Sequence, residues 1–249
     1  MNAILNHRSI RKYKNTPIED SILNDIFLAG IRASTTGNMQ LYSIVVTKED
    51  EIKQQLAPCH FNQAMVIQAP VVLTFCADFN RFNLWCQQRN AVPGYDNFLS
   101  FFTAAIDALL VAQNVCIAAE EKGLGICYLG TTTYKADKII DVLKLPKGVI
   151  PVTTVVVGYP DEAPGLTDRI PLAAVLHREI YQDYSPGDID QIYAAKEALP
   201  STKKLLEENG KETLAQIFTD NRYTKKDNVA FSKVLLKVLH DQGFMNNDM

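Results

Sequence analysis

The chain reads as an α+β layered protein. Three observations predict this. Four runs have strand-like composition: residues 42–48 (YSIVVTK), 71–77 (VVLTFCA), Gly125–Leu129 (GICYL) and 152–158 (VTTVVVG). Helical patterns alternate with them, and one apolar stretch, residues 101–119, is long enough to form a central helix.

Each element follows from its local pattern. Thr16-Pro17-Ile18-Glu19 offers a hydroxyl cap, a proline at the first helical position and an acid in the first turn, so a helix is expected from here. Its apolar stripe runs through Ile22, Leu23, Ile26, Phe27 and Ala29-Gly30-Ile31 and ends near Ala33. Ser34-Thr35-Thr36-Gly37-Asn38 is turn-forming. The first strand, 42–48, precedes a short helix at 49–56. The second, 71–77, is entered through Pro70. Residues 79–98, with Pro93-Gly94, read as loop. A long helix over 99–122 is closed by Gly123. The third strand, a helix at 134–143, the fourth strand and a loop at 160–171 follow. The only break in composition is Tyr184-Ser185-Pro186-Gly187, which predicts a main domain at 1–187 and a charged helical extension at 188–249, with an apolar stripe over 229–239.

Composition excludes several functions. Lys+Arg 25 against Asp+Glu 28 gives a net charge of −3, without the clustered basic excess that duplex nucleic acid requires. A chain of 249 residues buries roughly 70–75% of its unfolded surface, so its core needs no staples. Five cysteines (Cys59, Cys76, Cys86, Cys116 and Cys127) contain no CxxC pair, and the N-terminus has no apolar signal core, so the expected setting is a reducing cytoplasm. Asp107, Gln113 and Asn114 interrupt the apolar stretch and argue against a membrane span. That helix is nonetheless apolar nearly all round, and a second subunit could supply part of its cover. The four histidines lack metal-ligand spacing, and no GxSxG elbow occurs. Gly123-Leu124-Gly125 follows a helix and precedes a strand, the reverse of the order a dinucleotide fingerprint needs.

The informative segment is His7-Arg8-Ser9-Ile10-Arg11-Lys12-Tyr13. In an extended chain, positions 7, 9 and 11 face one side and 8, 10 and 12 the other. Guanidinium forks suit phosphate oxygens or the polar edge of a ring, although a solvated basic arm has the same composition.

This segment resembles the N-terminal signature of the flavin-dependent nitroreductase family, closest to its larger, NADPH-preferring branch. The resemblance continues through Ser34-Thr35-Thr36-Gly37-Asn38-Met39-Gln40, Gln63, Cys76-Ala77-Asp78-Phe79-Asn80-Arg81, Tyr128-Leu129-Gly130-Thr131, Leu145-Pro146, Gly158-Tyr159-Pro160 and Arg169-Ile170-Pro171. It implies a mostly antiparallel sheet of four to five strands, a buried central helix, and an intertwined homodimer with one FMN per subunit at the interface. His7, Arg8, Ser9 and Arg11 would bind the flavin's phosphate, ribityl chain and ring edge. Thr35, Thr36, Asn38 and Gln40 would reach it from the partner subunit. Gln63 would address the ring, Leu129, Gly130 and Thr131 would lie along it, and Arg169 would close on the phosphate.

The activity implied is ping-pong hydride transfer from NADPH or NADH, through flavin N5, to a nitroaromatic, quinone or flavin acceptor, with no side chain obligatory as acid or base. Arg11 is expected nearest the ring. Lys203-Lys204, Lys225-Lys226 and Arg222 are candidate contacts for the NADPH phosphate. The alternative is a flavin-storing protein of the same fold. This chain departs from the branch at three positions: Thr131 stands where a second glycine is common, Thr167 where a lysine is frequent, and Met65 where an aromatic is frequent.

Overall fold

The computed structural model describes residues 2–246. The chain divides into two compact units, residues 1–165 with 231–249, and residues 166–230. The boundary expected at 187/188 falls inside the second unit.

The first unit is built on a sheet of four strands among the described residues: β1 (Tyr42–Thr47), β2 (Val71–Asp78), β3 (Gly125–Leu129) and β4 (Val149–Gly158), in the order β1-β2-β4-β3. All three pairings are antiparallel. Around it lie α1 (Asp20–Gly30), α2 (Asp50–Leu56), α3 (Ala64–Gln68), α4 (Asn80–Gln88), α5 (Phe98–Glu121) and α6 (Ala136–Leu143). Both central strands are buried almost throughout, which is why β2 and β4 read as continuous apolar runs. The second unit contains α7 (Pro186–Glu197) and α8 (Pro200–Asn209). The last helix, α9 (Lys225–Asp241), places Val238 and Leu239 in the core of the first unit, against Phe79, Phe101 and Phe244.

Three elements differ from expectation by three residues or more. The first helix begins at Asp20, because Ile18 is taken into the core beside Leu23 and Ile26 instead of starting a turn. Asn80–Gln88 is helical, although its mixed composition suggested loop. The fourth strand begins at Val149 and carries Pro151, whose missing N–H falls beside a register shift between Phe75 and Cys76 of β2.

The central helix α5 lies between the sheet and α1, burying Ala104, Ala108, Val111, Ala112, Val115 and Ala119. Small residues at helical spacing let its backbone approach both neighbours. It is long and apolar enough to cross a membrane by length and composition, yet this face is packed as a core helix. Asp107, buried within it, accepts hydrogen bonds from the backbone N–H of Thr36 (3.0 Å) and Leu41 (3.2 Å). The carboxylate that made a membrane span implausible therefore pins the hydroxyl-rich loop to the helix.

Candidate functional site

A pair of glycines seats the basic N-terminal segment. Gly125 of β3 and Gly158 of β4 are register partners. A Cβ at Gly125 would stand 2.6–3.0 Å from three side-chain atoms of Ile10, and one at Gly158 would stand 2.7 Å from the ring of Tyr13. Two absent side chains thus make the floor on which residues 9–13 rest. Ile10 N–H donates to Ile126 O at 2.9 Å, Ser9 bridges Ile126 in parallel, and Tyr13 bridges Pro160. Ile10 and Tyr13 are buried, while Arg11 and Lys12 between them stay exposed, so the strict alternation of an extended chain is not kept through this segment. Glu162 Oε1 accepts from the backbone N–H groups of Arg11 (2.5 Å) and Lys12 (3.1 Å), clamping the segment from its far side.

His7 and Arg8 have acidic neighbours. His7 Nδ1 lies 2.7 Å from Glu120 Oε1. Arg8 lines a cavity of about 710 Å³ together with Glu120, Glu121 and Glu162. The charge of Arg8 is therefore offset by neighbouring carboxylates, and Glu162 is shared with the backbone of Arg11 and Lys12.

Following β3 to its end leads to the expected ring contacts. Leu129 is buried, and Gly130 has nothing within 4 Å of the position a Cβ would occupy, so its backbone is open to a planar ligand. Thr131 begins the 3₁₀ turn Thr132–Lys135, and its Oγ1 lies 2.8 Å from His60 Nδ1. Gln63 Nε2 donates to His60 O at 3.1 Å. The structure therefore places His7, Arg8, Ser9 and Arg11 by the start of β3 and Leu129, Gly130 and Thr131 at its end, where His60 links Gln63 to Thr131.

Thr35, Thr36, Asn38 and Gln40 lie at the entry to β1, the opposite edge of the same sheet. Three interstrand spacings, about 14 Å, separate the two edges. This loop is strained and held: Asn38 and Gln40 both have φ of 57°, and Arg81 Nη2 donates to Gln40 O (2.5 Å) and Tyr42 O (3.2 Å). Arg169 belongs to the second unit, where its Nη1 donates to Thr167 Oγ1 at 2.6 Å and Asp168 O at 2.9 Å. Thr167 thus orients the guanidinium that follows it.

Sequence reasoning missed Glu162, His60, Asp107 and Arg81 as supports of the site. Only Arg81 lay within a recognisable motif; the others act through contacts distant in the chain. His60 is wholly buried, and burial pushes its imidazole down to about 4 from 6.5. The unfolded chain then takes up a proton that the folded chain refuses, so stability falls as pH drops from about 6.5 towards 4. Between pH 7 and 4.5 the wild type should lose about 2–3 kcal/mol more unfolding free energy than His60→Phe. Urea denaturation at both pH values measures the difference; equal losses would refute it.

Among the described residues, all five cysteines are buried and unbonded. Burial raises Cys76 and Cys116 to about 12, which leaves them inert as thiolates. No group of three or more His, Cys, Asp or Glu among the described residues is placed to hold a metal.

Known proteins share this sequence pattern and this fold. The nitroreductase family model matches residues 4–159. An FMN reductase (NADPH) from Bacillus subtilis is 35% identical over 181 residues, covering 72% of this chain and 73% of its own. An NADPH-flavin oxidoreductase from Vibrio harveyi is 32% identical over 227 residues, covering 88% and 91%. The crystal structure of a Bacteroides fragilis protein described as an oxidoreductase superposes with a TM-score of 0.97 at 59% identity, over 99% of this chain and 100% of its own. The match spans the glycine-seated arginine segment, the hydroxyl loop and all four strands, and on that ground the chain belongs to the nitroreductase family.

Proposed function

We propose that this protein is a cytoplasmic NADPH-dependent flavin oxidoreductase that holds FMN at the β3 edge and reduces nitroaromatic, quinone or flavin acceptors. The observation that carries the reading is the basic segment bridged to β3 at Ser9–Ile126, with the open backbone of Gly130 just past the other end of that strand. The guanidinium of Arg11, the hydroxyl of Ser9, the amide of Gln63 and the uncovered peptide at Gly130 suit the polar edge and the flat face of a flavin. The relatives' names, FMN reductase (NADPH) and NADPH-flavin oxidoreductase, support the cofactor and the electron donor.

Bound FMN would supply the two-electron chemistry, accepting hydride from a reduced nicotinamide and delivering it to the acceptor. The chain's own residues bind and tune. Arg11 stabilises negative charge gathered on the reduced ring, and the N–H groups of Gly130 and Thr131 add fixed dipoles on the same side. Ser9, His7 and Arg8 would complete the β3-side contacts. No side chain is assigned as proton donor: His60 is enclosed and neutral, so protons come from water. A flavin at the β3 edge lies across β4 and β2 from its own chain's hydroxyl loop, so Thr35, Thr36, Asn38 and Gln40 would come from a second copy, giving a homodimer.

Purified protein should be yellow and should bleach within seconds under anaerobic NADPH, faster than under NADH in stopped flow. Colour without bleaching would favour storage; a colourless protein that rejects FMN would overturn the reading. Arg11→Ala should weaken FMN roughly 10- to 100-fold, the equivalent of one charge-assisted hydrogen bond, and lower the flavin midpoint potential. An anaerobic redox titration checks this, and an unchanged potential would remove Arg11 from the ring.

A further inference from the structure

Two turns carry the ring contacts of the proposed flavin site, and one buried side chain joins them. His60 closes the turn Ala57–His60, and its carbonyl accepts from both the backbone N–H (3.2 Å) and the side-chain amide (3.1 Å) of Gln63. Phe61 and Asn62, between them, are both left-handed with φ of 54°, so the connection has little freedom to relax. On its other side His60 Nδ1 meets Thr131 Oγ1 at 2.8 Å, and Nε2 is buried without a partner. A lone hydroxyl contact thus ties the imidazole to the second turn, immediately after the open backbone of Gly130. A threonine has three staggered positions for its Oγ1 and Cγ2. Only a fixed χ1 keeps its methyl in one place beside a ligand lying on Gly130.

We propose that His60 is a positioning residue of the flavin face, holding the Thr131 side chain in one rotamer and Gln63 in register with it. This rests on the flavin reading given above. It also explains how a threonine is accommodated at a position where the family commonly has glycine: the imidazole draws the hydroxyl back and fixes what remains.

The test is a double-mutant cycle on the full chain, read by FMN fluorescence quenching, with thermal melts without FMN reporting the fold. His60→Phe should weaken FMN about tenfold and shift the visible absorption band of the bound flavin. In a Thr131→Gly background, where no rotamer needs holding, the same His60→Phe change should alter affinity less than twofold. His60→Asn, whose amide can occupy the place of Nδ1, should recover most of the loss. Thr131→Val keeps the volume, removes the contact and leaves His60 in place, so it carries the test if His60→Phe fails to fold; it too should weaken FMN about tenfold. Equal effects of His60→Phe in both backgrounds would mean general packing and would overturn the proposal, as would unchanged affinity in Thr131→Val. Wild-type protein that takes up no FMN would overturn the flavin reading and this inference together. Tight wild-type binding with an additive cycle would overturn this inference alone.

Discussion

Gly125→Ala should loosen FMN on the order of a hundredfold, the equivalent of losing about one strong charge-assisted hydrogen bond. The substitution is small and sits on a strand, where alanine is ordinarily tolerated. Here the new Cβ would lie 2.6, 2.8 and 3.0 Å from Ile10 Cγ1, Cβ and Cγ2. Ile10 Cβ is fixed to the backbone, so no rotamer change clears all three contacts. The segment itself must lift, which breaks the 2.9 Å bond from Ile10 N–H to Ile126 O and carries Ser9 and Arg11 with it. Overpacking of this kind costs about 1–3 kcal/mol in stability, leaving the fold intact at moderate temperature. Equilibrium FMN titration beside a thermal melt separates the two effects. Wild-type affinity with a lowered melting temperature would show that the flavin does not depend on this segment.

That result bears on what the sequence could reveal. The strands were legible because their burial is written as apolar runs: Gly125–Leu129 was placed to the residue, and the inner strand at 71–77 within one. The central helix was legible for the same reason, through alanines and branched residues at helical spacing. Arg11 and Gly130 stand in local motifs, His7–Tyr13 and Tyr128–Thr131, which is why they could be named as candidates. What escaped depends on contacts made only after folding. Nothing near Glu162 says that its carboxylate will clamp residue 11, some 150 positions away. Nothing near His60 forecasts Thr131. The missed helix at Asn80–Gln88 has its packing surface in Phe82, whose ring meets Phe79 and Tyr95; no strong periodicity in the sequence announces it. Asp107 was seen only as a polar interruption, although its two backbone partners make it the anchor of the hydroxyl loop.

The largest effect on assembly should come from the outer face of α5. Leu99, Phe102, Ile106 and Leu109, spaced three and four residues apart, are 42–71% exposed, and Phe98 and Leu110 flank them. Fully burying such side chains contributes about 1.5–3 kcal/mol each, so a face of six is a strong association surface for a soluble chain. It continues the helix that anchors the hydroxyl loop through Asp107, which would couple assembly to flavin binding: the helix that would meet a second copy also holds the residues proposed to reach that copy's FMN. Ile106→Glu with Leu109→Glu would place two carboxylates per chain in a desolvated contact. An uncompensated buried charge costs about 3–5 kcal/mol, so the dimer constant should rise a thousandfold or more. Light scattering after size exclusion should then report about 28 kDa, the mass of one chain, in place of twice that value. FMN should be lost with the second copy, since each site would retain only its β3 half. A colourless monomer that regains neither colour nor NADPH oxidation on adding FMN fits this coupling; a yellow, active monomer would show that one chain completes the site alone.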